Sequence, residues 1–450
     1  MPEALRSLIQ QPWSLAPDTL LGAVMLGLAA ALAGEMVWRV LHWPRLVGYA
    51  VVGTLIAVVG PGVDGTDEAV RLLVDAALGV LLFESGARLN LRWLRHNPWL
   101  LASSLLESAI TALVVVFAAQ WLGVPPSVAI PLSLILAATS PALTLRVVGE
   151  LHSAGQVTER LLAMSVLNTV IAVIALQLYG AGMLLSVPDT WTQAIGPVVF
   201  SFVGSIVLAA LTAEAIHFVA RRFDLRHDPA VLLIVGFVML ALVLAKTLHL
   251  SMLMVPLLAG IWLRNRGDRP WLWPRHFGSL GALLVMVLFV AVNAAWSPAA
   301  VAPLLGVALA LVVLRVLAKV AGVSLLARPS GLNTKQGLWL GCALMPLSAT
   351  AWVMGLDFAA QQGARAAGLM PLLLACIAIF ELVSPLALRF VLRQVGDVEP
   401  RATVASAPAP TPSSNASPPP DTDAGGSGPS GKKPHDDVRV AAPTSTASVP

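Results

Sequence analysis

Leu134-Ile-Leu-Ala-Ala-Thr139-Ser140-Pro141-Ala142-Leu143-Thr144-Leu145 lies inside an apolar run long enough to cross a bilayer. Pro141 removes a backbone donor, and its ring clashes with the preceding turn, so the run cannot continue as one smooth helix. In hydrocarbon, backbone groups freed by such a break must find partners. A break is therefore tolerated where it is buried in protein or lines a watery cavity. The stretch reads either as a kink satisfied by the Thr139 and Ser140 hydroxyls or as an interrupted helix at a binding site.

Composition sets the context. Of 450 residues, 57% are hydrophobic and 12% charged, against about a quarter charged in soluble domains, and the mean hydropathy is +0.81. The chain is a polytopic membrane protein. Its 28 Lys and Arg against 24 Asp and Glu fall largely in short loops between apolar runs. They form no phosphate-binding face, so nucleic acid is not an expected partner. Cys342 and Cys376 sit within apolar runs, where a thiol behaves as a small hydrophobe. Three regions follow: an extracytoplasmic segment 1–17, a transmembrane domain 18–395, and a Pro/Ser/Thr-rich tail 396–450. The tail is too poor in apolar surface to offset its ordering entropy, so disorder is expected there.

Apolar runs of bilayer-spanning length give about thirteen helices, at 18–38, 45–61, 68–87, 98–121, 126–148, 158–184, 192–220, 229–246, 249–264, 276–296, 299–326, 335–357 and 366–392. Alternate connections collect Arg39 and Arg45; Arg88, Arg92 and Arg95; Arg146 and Arg160; Arg221, Arg222 and Arg226; Arg264, Arg266, Arg269 and Arg275; Arg328 and Lys335; Arg389 and Arg393. The opposite connections hold little beyond Arg71, Lys246 and Arg365. Because cytoplasmic loops gather Lys and Arg, the N-terminus is expected outside and the tail in the cytoplasm of a bacterial-type inner membrane.

An odd number of spans allows two inverted six-helix repeats joined by a linker helix, an arrangement common in secondary transporters, which place interrupted helices at corresponding positions. The Thr139-Ser140-Pro141 run is the fifth, and its counterpart, the twelfth, carries Leu344-Met345-Pro346-Leu347-Ser348-Ala349-Thr350. A proline and two hydroxyls interrupt both. The sixth run places Asn168 and Thr169 mid-span, where a buried amide needs a partner. Of the charged residues within runs, Glu35, Asp75, Glu84 and Glu214 lie near run ends, where snorkelling accounts for them. Glu107 and Glu381 are deeper, and Arg315 and Lys319 form a basic pair one turn apart. Each carboxylate is either a functional group or the structural partner of a base. No phosphate loop, metal-binding His spacing or nucleophile elbow is present, so neither enzyme nor cofactor is indicated.

Taken together, Pro44-Arg45-Leu-Val-Gly48-Tyr49, Leu81-Leu-Phe-Glu84-Ser-Gly86-Ala-Arg88-Leu89-Asn90, Ala137-Ala-Thr139-Ser140-Pro141-Ala142, Val166-Leu167-Asn168, Arg315 with Lys319 and Gly322, and Glu381-Leu-Val-Ser-Pro385-Leu resemble the monovalent cation:proton antiporters of the sodium/hydrogen exchanger superfamily. The resemblance implies an all-α fold in which broken helices 5 and 12 cross at the midplane, a homodimer, and elevator-like alternating access. It implies exchange of Na+ or K+ for protons at Thr139, Ser140, Pro141, Asn168, Thr169, Ser348 and Thr350. The sequence departs from the family at Thr169, where relatives carry an aspartate that couples the two ions; a hydroxyl does not titrate near neutral pH. Glu107 or Glu381 is then the expected proton carrier, and Arg315, Lys319 and Asn293 are the expected charge-balancing groups. A transporter of altered substrate or coupling, such as a solute symporter, and a non-transporting relative remain as alternatives.

Overall fold

The computed structural model describes residues 19–59, 68–185, 191–222, 229–266 and 277–398, and no strand occurs among them. The segment 1–17, expected to be extracytoplasmic, and the tail beyond Val398 lie outside the described residues. The helices are α1 (Thr19–Met36, continued by a π turn), α2 (Arg45–Val59), α3 (Glu68–Gly86), α4 (Leu91–His96), α5 (Pro98–Trp121), α6 (Pro126–Ala137), α7 (Pro141–Leu151), α8 (Gln156–Leu185) and α9 (Trp191–Arg222). They continue with α10 (Pro229–Thr247), α11 (Met254–Asn265), α12 (Phe277–Ala294), α13 (Pro298–Val301), α14 (Leu305–Leu325), α15 (Thr334–Ala343), α16 (Ala349–Gln362) and α17 (Leu369–Gln394).

Prolines and side-chain caps set many boundaries. Pro98, Pro126, Pro141 and Pro298 occupy first-turn positions, where the missing N–H has no intrahelical role. Asn90 accepts from the Arg92 and Trp93 amides and starts the short α4, which hydropathy alone does not show. Asn333 and Gln336 form a capping box at the head of α15. The ninth run begins its helix only at Met254, because α10 closes through His249 at φ 54 and a hydrogen bond donated by the Leu250 amide to the Ala245 carbonyl.

Seven described helical stretches are long and apolar enough to cross a membrane by length and composition. The stretch Pro126–Leu151, which contains the first break, is 89% buried, against 17% for Val24–Leu41. The interrupted backbone is thus enclosed by protein, while peripheral helices carry exposed apolar residues such as Met25, Leu55, Phe117 and Leu232. One large apolar cluster surrounds the two breaks, and a smaller one lies between α3, α9, α10 and α11.

Candidate functional site

The Thr139-Ser140-Pro141 stretch is a true interruption. α6 stops at Ala137, Ala138 turns extended at φ −60 and ψ 159, and Ser140 caps α7 by accepting from the Leu143 amide. The second interruption runs from the end of α15 at Ala343 to Ser348, which caps α16. The two meet directly: the Ser140 amide donates to the Pro346 carbonyl at 2.8 Å, and the Thr139 hydroxyl donates to the Leu344 carbonyl at 3.1 Å. Each break therefore satisfies part of the other, and the kink reading of the first stretch is set aside.

The C-terminal ends of α6 and α15 present carbonyls, each end equivalent to about half a negative charge. α14 supplies the answer. Arg315 donates to Leu136 O at 2.6 Å, Ala138 O at 2.8 Å and Met345 O at 2.7 Å, joining both ends, and its guanidinium stands 4.4 Å from the Phe380 ring centroid. Lys319, one turn on, donates to Ala137 O at 2.9 Å and to the Thr139 hydroxyl at 3.2 Å, and pairs with Glu107. All three charged residues are fully buried. Gly322 makes this possible, since a Cβ there would stand 2.6 Å from the Glu107 Cα; α14 and α5 touch backbone to backbone.

Glu107 also receives Asn168 Nδ2 at 2.8 Å and the Thr111 hydroxyl at 3.3 Å. The Asn168 carbonyl accepts from Ser104 and, at 3.3 Å, from Ser108, and its amide reaches the Thr139 hydroxyl at 3.3 Å. Ser104, Ser108 and Thr111 escape a reading that looks for charges. Their signal is nonetheless in the sequence, as a polar stripe at positions 104, 107, 108 and 111 that repeats with the turn of α5. Thr169 lies with its hydroxyl 2.9 Å from Thr139 O and 3.0 Å from Ser165 O, braced against the break.

Glu381 and Asn293 stand in a second group. Asn293 on α12 donates to Glu381 on α17, and Ser348 caps α16, which packs on both of these helices. Thr139, Ser140, Asn168, Thr169, Glu107, Arg315 and Lys319 thus form one network around the first break, with Glu381, Asn293 and Ser348 beside the second. Pro141 contributes as the first residue of α7. Glu84 and Asp75, assigned to snorkelling from their positions near run ends, are instead buried at 4% and 8% exposure. Glu84 is held by Arg146 at 2.7 Å and Arg88 at 3.3 Å, because α3 packs its last turns against α7 and α11.

Residues 27–394 match the family model described as sodium/hydrogen exchanger, transmembrane. The chain belongs to that family. Its members are transporters and not enzymes, and the chain is a multi-pass membrane protein. The structure is also similar to that of the sodium proton antiporter MjNhaP1 from Methanocaldococcus jannaschii at pH 8, with a TM-score of 0.62 and 19% identity over 84% of this chain and 98% of that one. An electron-microscopy structure of the same antiporter gives a TM-score of 0.65 and 19% identity over 85% and 97%. At such identity the likeness establishes the fold. No curated protein sequence matches the chain.

Proposed function

We propose that the chain exchanges a monovalent cation, Na+ or K+, for protons by alternating access, with the crossing of the two broken helices at the bilayer midplane as its transport site. The observation that carries this reading is the crossing itself. Two enclosed, interrupted helices bond to each other, and two buried cations neutralise the carbonyl ends that face them. Interrupted backbone of this kind belongs to ion and substrate sites in secondary transporters. Thr139, Ser140, Pro141, Asn168, Thr169, Ser348 and Thr350 form the site, and a buried carboxylate, Glu107 or Glu381, exchanges the proton that an aspartate at position 169 would otherwise carry.

Two inverted repeats within a thirteen-helix domain over 18–395 are part of the proposal. Supporting them, packing partners recur when each helix is replaced by the one seven spans later. α5 packs on α6 and α14 on α15; α5 on α8 and α14 on α17; α2 on α12 and α11 on α3. Supporting a cytoplasmic face at the Arg-bearing connections, Trp38, Arg45, Arg88, Arg146 and Glu150 line one shared cavity. The N-terminus then lies outside, the tail in the cytoplasm, and the working unit is a homodimer, as the resemblance implies.

A second reading, a transporter of altered substrate or coupling, draws on Thr169, whose hydroxyl faces backbone carbonyls where relatives present a carboxylate. Proteoliposomes carrying an internal pH dye separate the two. Under the antiport reading, external Na+ or K+ collapses an imposed proton gradient, whereas a null response to every monovalent cation tested removes it and leaves the second reading.

A further inference from the structure

Four buried side-chain oxygens beside the second break have no hydrogen-bond partner: Asn293 Oδ1 on α12, Thr350 Oγ1 in the first turn of α16, and Glu381 Oε1 and Ser384 Oγ on α17. None of the four residues is more than 1% exposed. An oxygen left unpaired at that depth costs free energy unless something else binds it. Their surroundings tie them together. The Asn293 amide is already spent on Glu381 and, at 2.8 Å, on Phe289 O, which leaves its carbonyl free. Ser384 lies one turn from Glu381 on the same helix face, and Thr350 lies in the first turn of α16, just after its cap Ser348. α16 packs on both α12 and α17.

Glu107 offers a contrast. Lys319 and Thr111 engage one of its oxygens and Asn168 the other, so its charge is matched in place. Glu381 has no such base. Arg315, next to Phe380, is committed to three carbonyls. The other charged groups on helices packed against α17 are engaged or point elsewhere. Arg45, Arg146 and Glu150 line the cavity with Glu84, Asp357 lines a cavity with Lys246, and Lys335 lies in the exposed first turn of α15.

We propose that Glu381, Asn293, Thr350 and Ser384 form the coupling site, at which one dehydrated monovalent cation and one proton compete. The inference rests on the antiport reading and names its carboxylate. The donor set is all oxygen, with a single formal charge: a carboxylate, an amide carbonyl and two hydroxyls. Hard alkali cations take such ligands. A divalent ion would leave an unmatched positive charge next to Arg315, which burial disfavours. Protonated Glu381 plus M+ gives Glu381 carboxylate bound to M+ plus H+, so one positive charge enters as one leaves. The positive end of α16 beside the site, about half a charge, keeps the cation loosely held, as a transported ion must be.

The test uses full-length protein in proteoliposomes, with 22Na+ uptake driven by a pH gradient, and 22Na+ binding to the purified protein in detergent. Uptake should be indifferent to a clamped membrane potential, and the apparent KM for Na+ should rise as pH falls. Glu381→Gln should lose at least 100-fold of the exchange and most of the binding. Glu381→Asp should retain both, and Thr350→Ala and Ser384→Ala should raise KM more than they lower the maximal rate. Should Glu381→Gln exchange at the wild-type rate, the site is wrong while antiport stands. A wild type silent both in 22Na+ uptake and in uptake of 86Rb+ as the potassium tracer overturns antiport, and equal 22Na+ affinity in wild type and Glu381→Gln overturns the site independently. Uptake that follows the potential overturns the one-for-one stoichiometry. If Glu381→Gln fails to fold, unchanged KM in both hydroxyl variants overturns the oxygen cage.

Discussion

Lys319 and Glu107 show why residue identity at the crossing is tightly constrained. Both are fully buried, and Glu107 accepts from three side chains at once. Removing one member of a buried pair strands the other's charge, at about 3–5 kcal/mol, whereas replacing both with neutral groups of similar volume is far less costly. Lys319→Ala should therefore lower the thermal midpoint of the detergent-solubilised protein sharply, followed by tryptophan fluorescence. The double variant Glu107→Gln with Lys319→Met should recover most of the loss. A double variant no more stable than Lys319→Ala would show that the pair is not what holds α14 to α5. At this scale the sequence exposed all the charged participants, because ionisable residues within apolar runs are conspicuous. It did not pair them: nothing in the order of residues says that Lys319 meets Glu107, 212 positions away.

Among the elements, α14 is the strut of the site. It packs on α5, α15 and α17 and delivers Arg315 to the carbonyl ends of both broken helices. Its close approach to α5 depends on Gly322, so Gly322→Ala should separate the two helices and cost about 1–3 kcal/mol through overpacking. Gly306→Ala, earlier in the same helix and with no neighbour within 4 Å, is the control and should leave stability nearly unchanged. Equal melting temperatures for the two variants would contradict the contact. The breaks themselves were legible as Pro141 and Pro346, since proline has a fixed local effect. That they bond to each other was not, because a backbone amide such as that of Ser140 carries no signature of its distant acceptor.

Over the whole molecule, the proposed alternating access requires the helices around the breaks to move against their surroundings. One place where the two groups grip each other is the pairing of Glu84 on α3, which also holds Arg88, with Arg146 on α7. A second is the Glu150 carboxylate at the end of α7, which accepts from the Arg45 amide at the head of α2 at 3.1 Å. Bridging Glu84→Cys and Arg146→Cys with a short cleavable bifunctional thiol reagent should arrest exchange, and cleavage should restore it, read as 22Na+ flux. Exchange that continues under complete cross-linking would argue that α7 and α3 stay fixed during transport. A further tie sits at the end of the described chain. Asp397 accepts from the Thr158 amide and hydroxyl, both at 2.8 Å, and so anchors the first turn of α8, the helix that carries Asn168.

Sequence alone determined that the chain is a helical membrane protein and that two of its apolar runs break at prolines, and its resemblance to a transporter family singled out Thr169. These follow from local chemistry: hydrocarbon selects apolar runs, and proline cannot continue a helix. Only the tertiary structure decided that the two breaks bond to each other, that Glu107 is matched by Lys319 and Asn168, and that Glu84 is buried against Arg146 and not snorkelling. Only it revealed the unpaired oxygens of Asn293, Thr350, Glu381 and Ser384 beside the second break. The physical reason is that a buried group's state depends on which partners reach it through a desolvated interior, and residues far apart in the chain supply those partners.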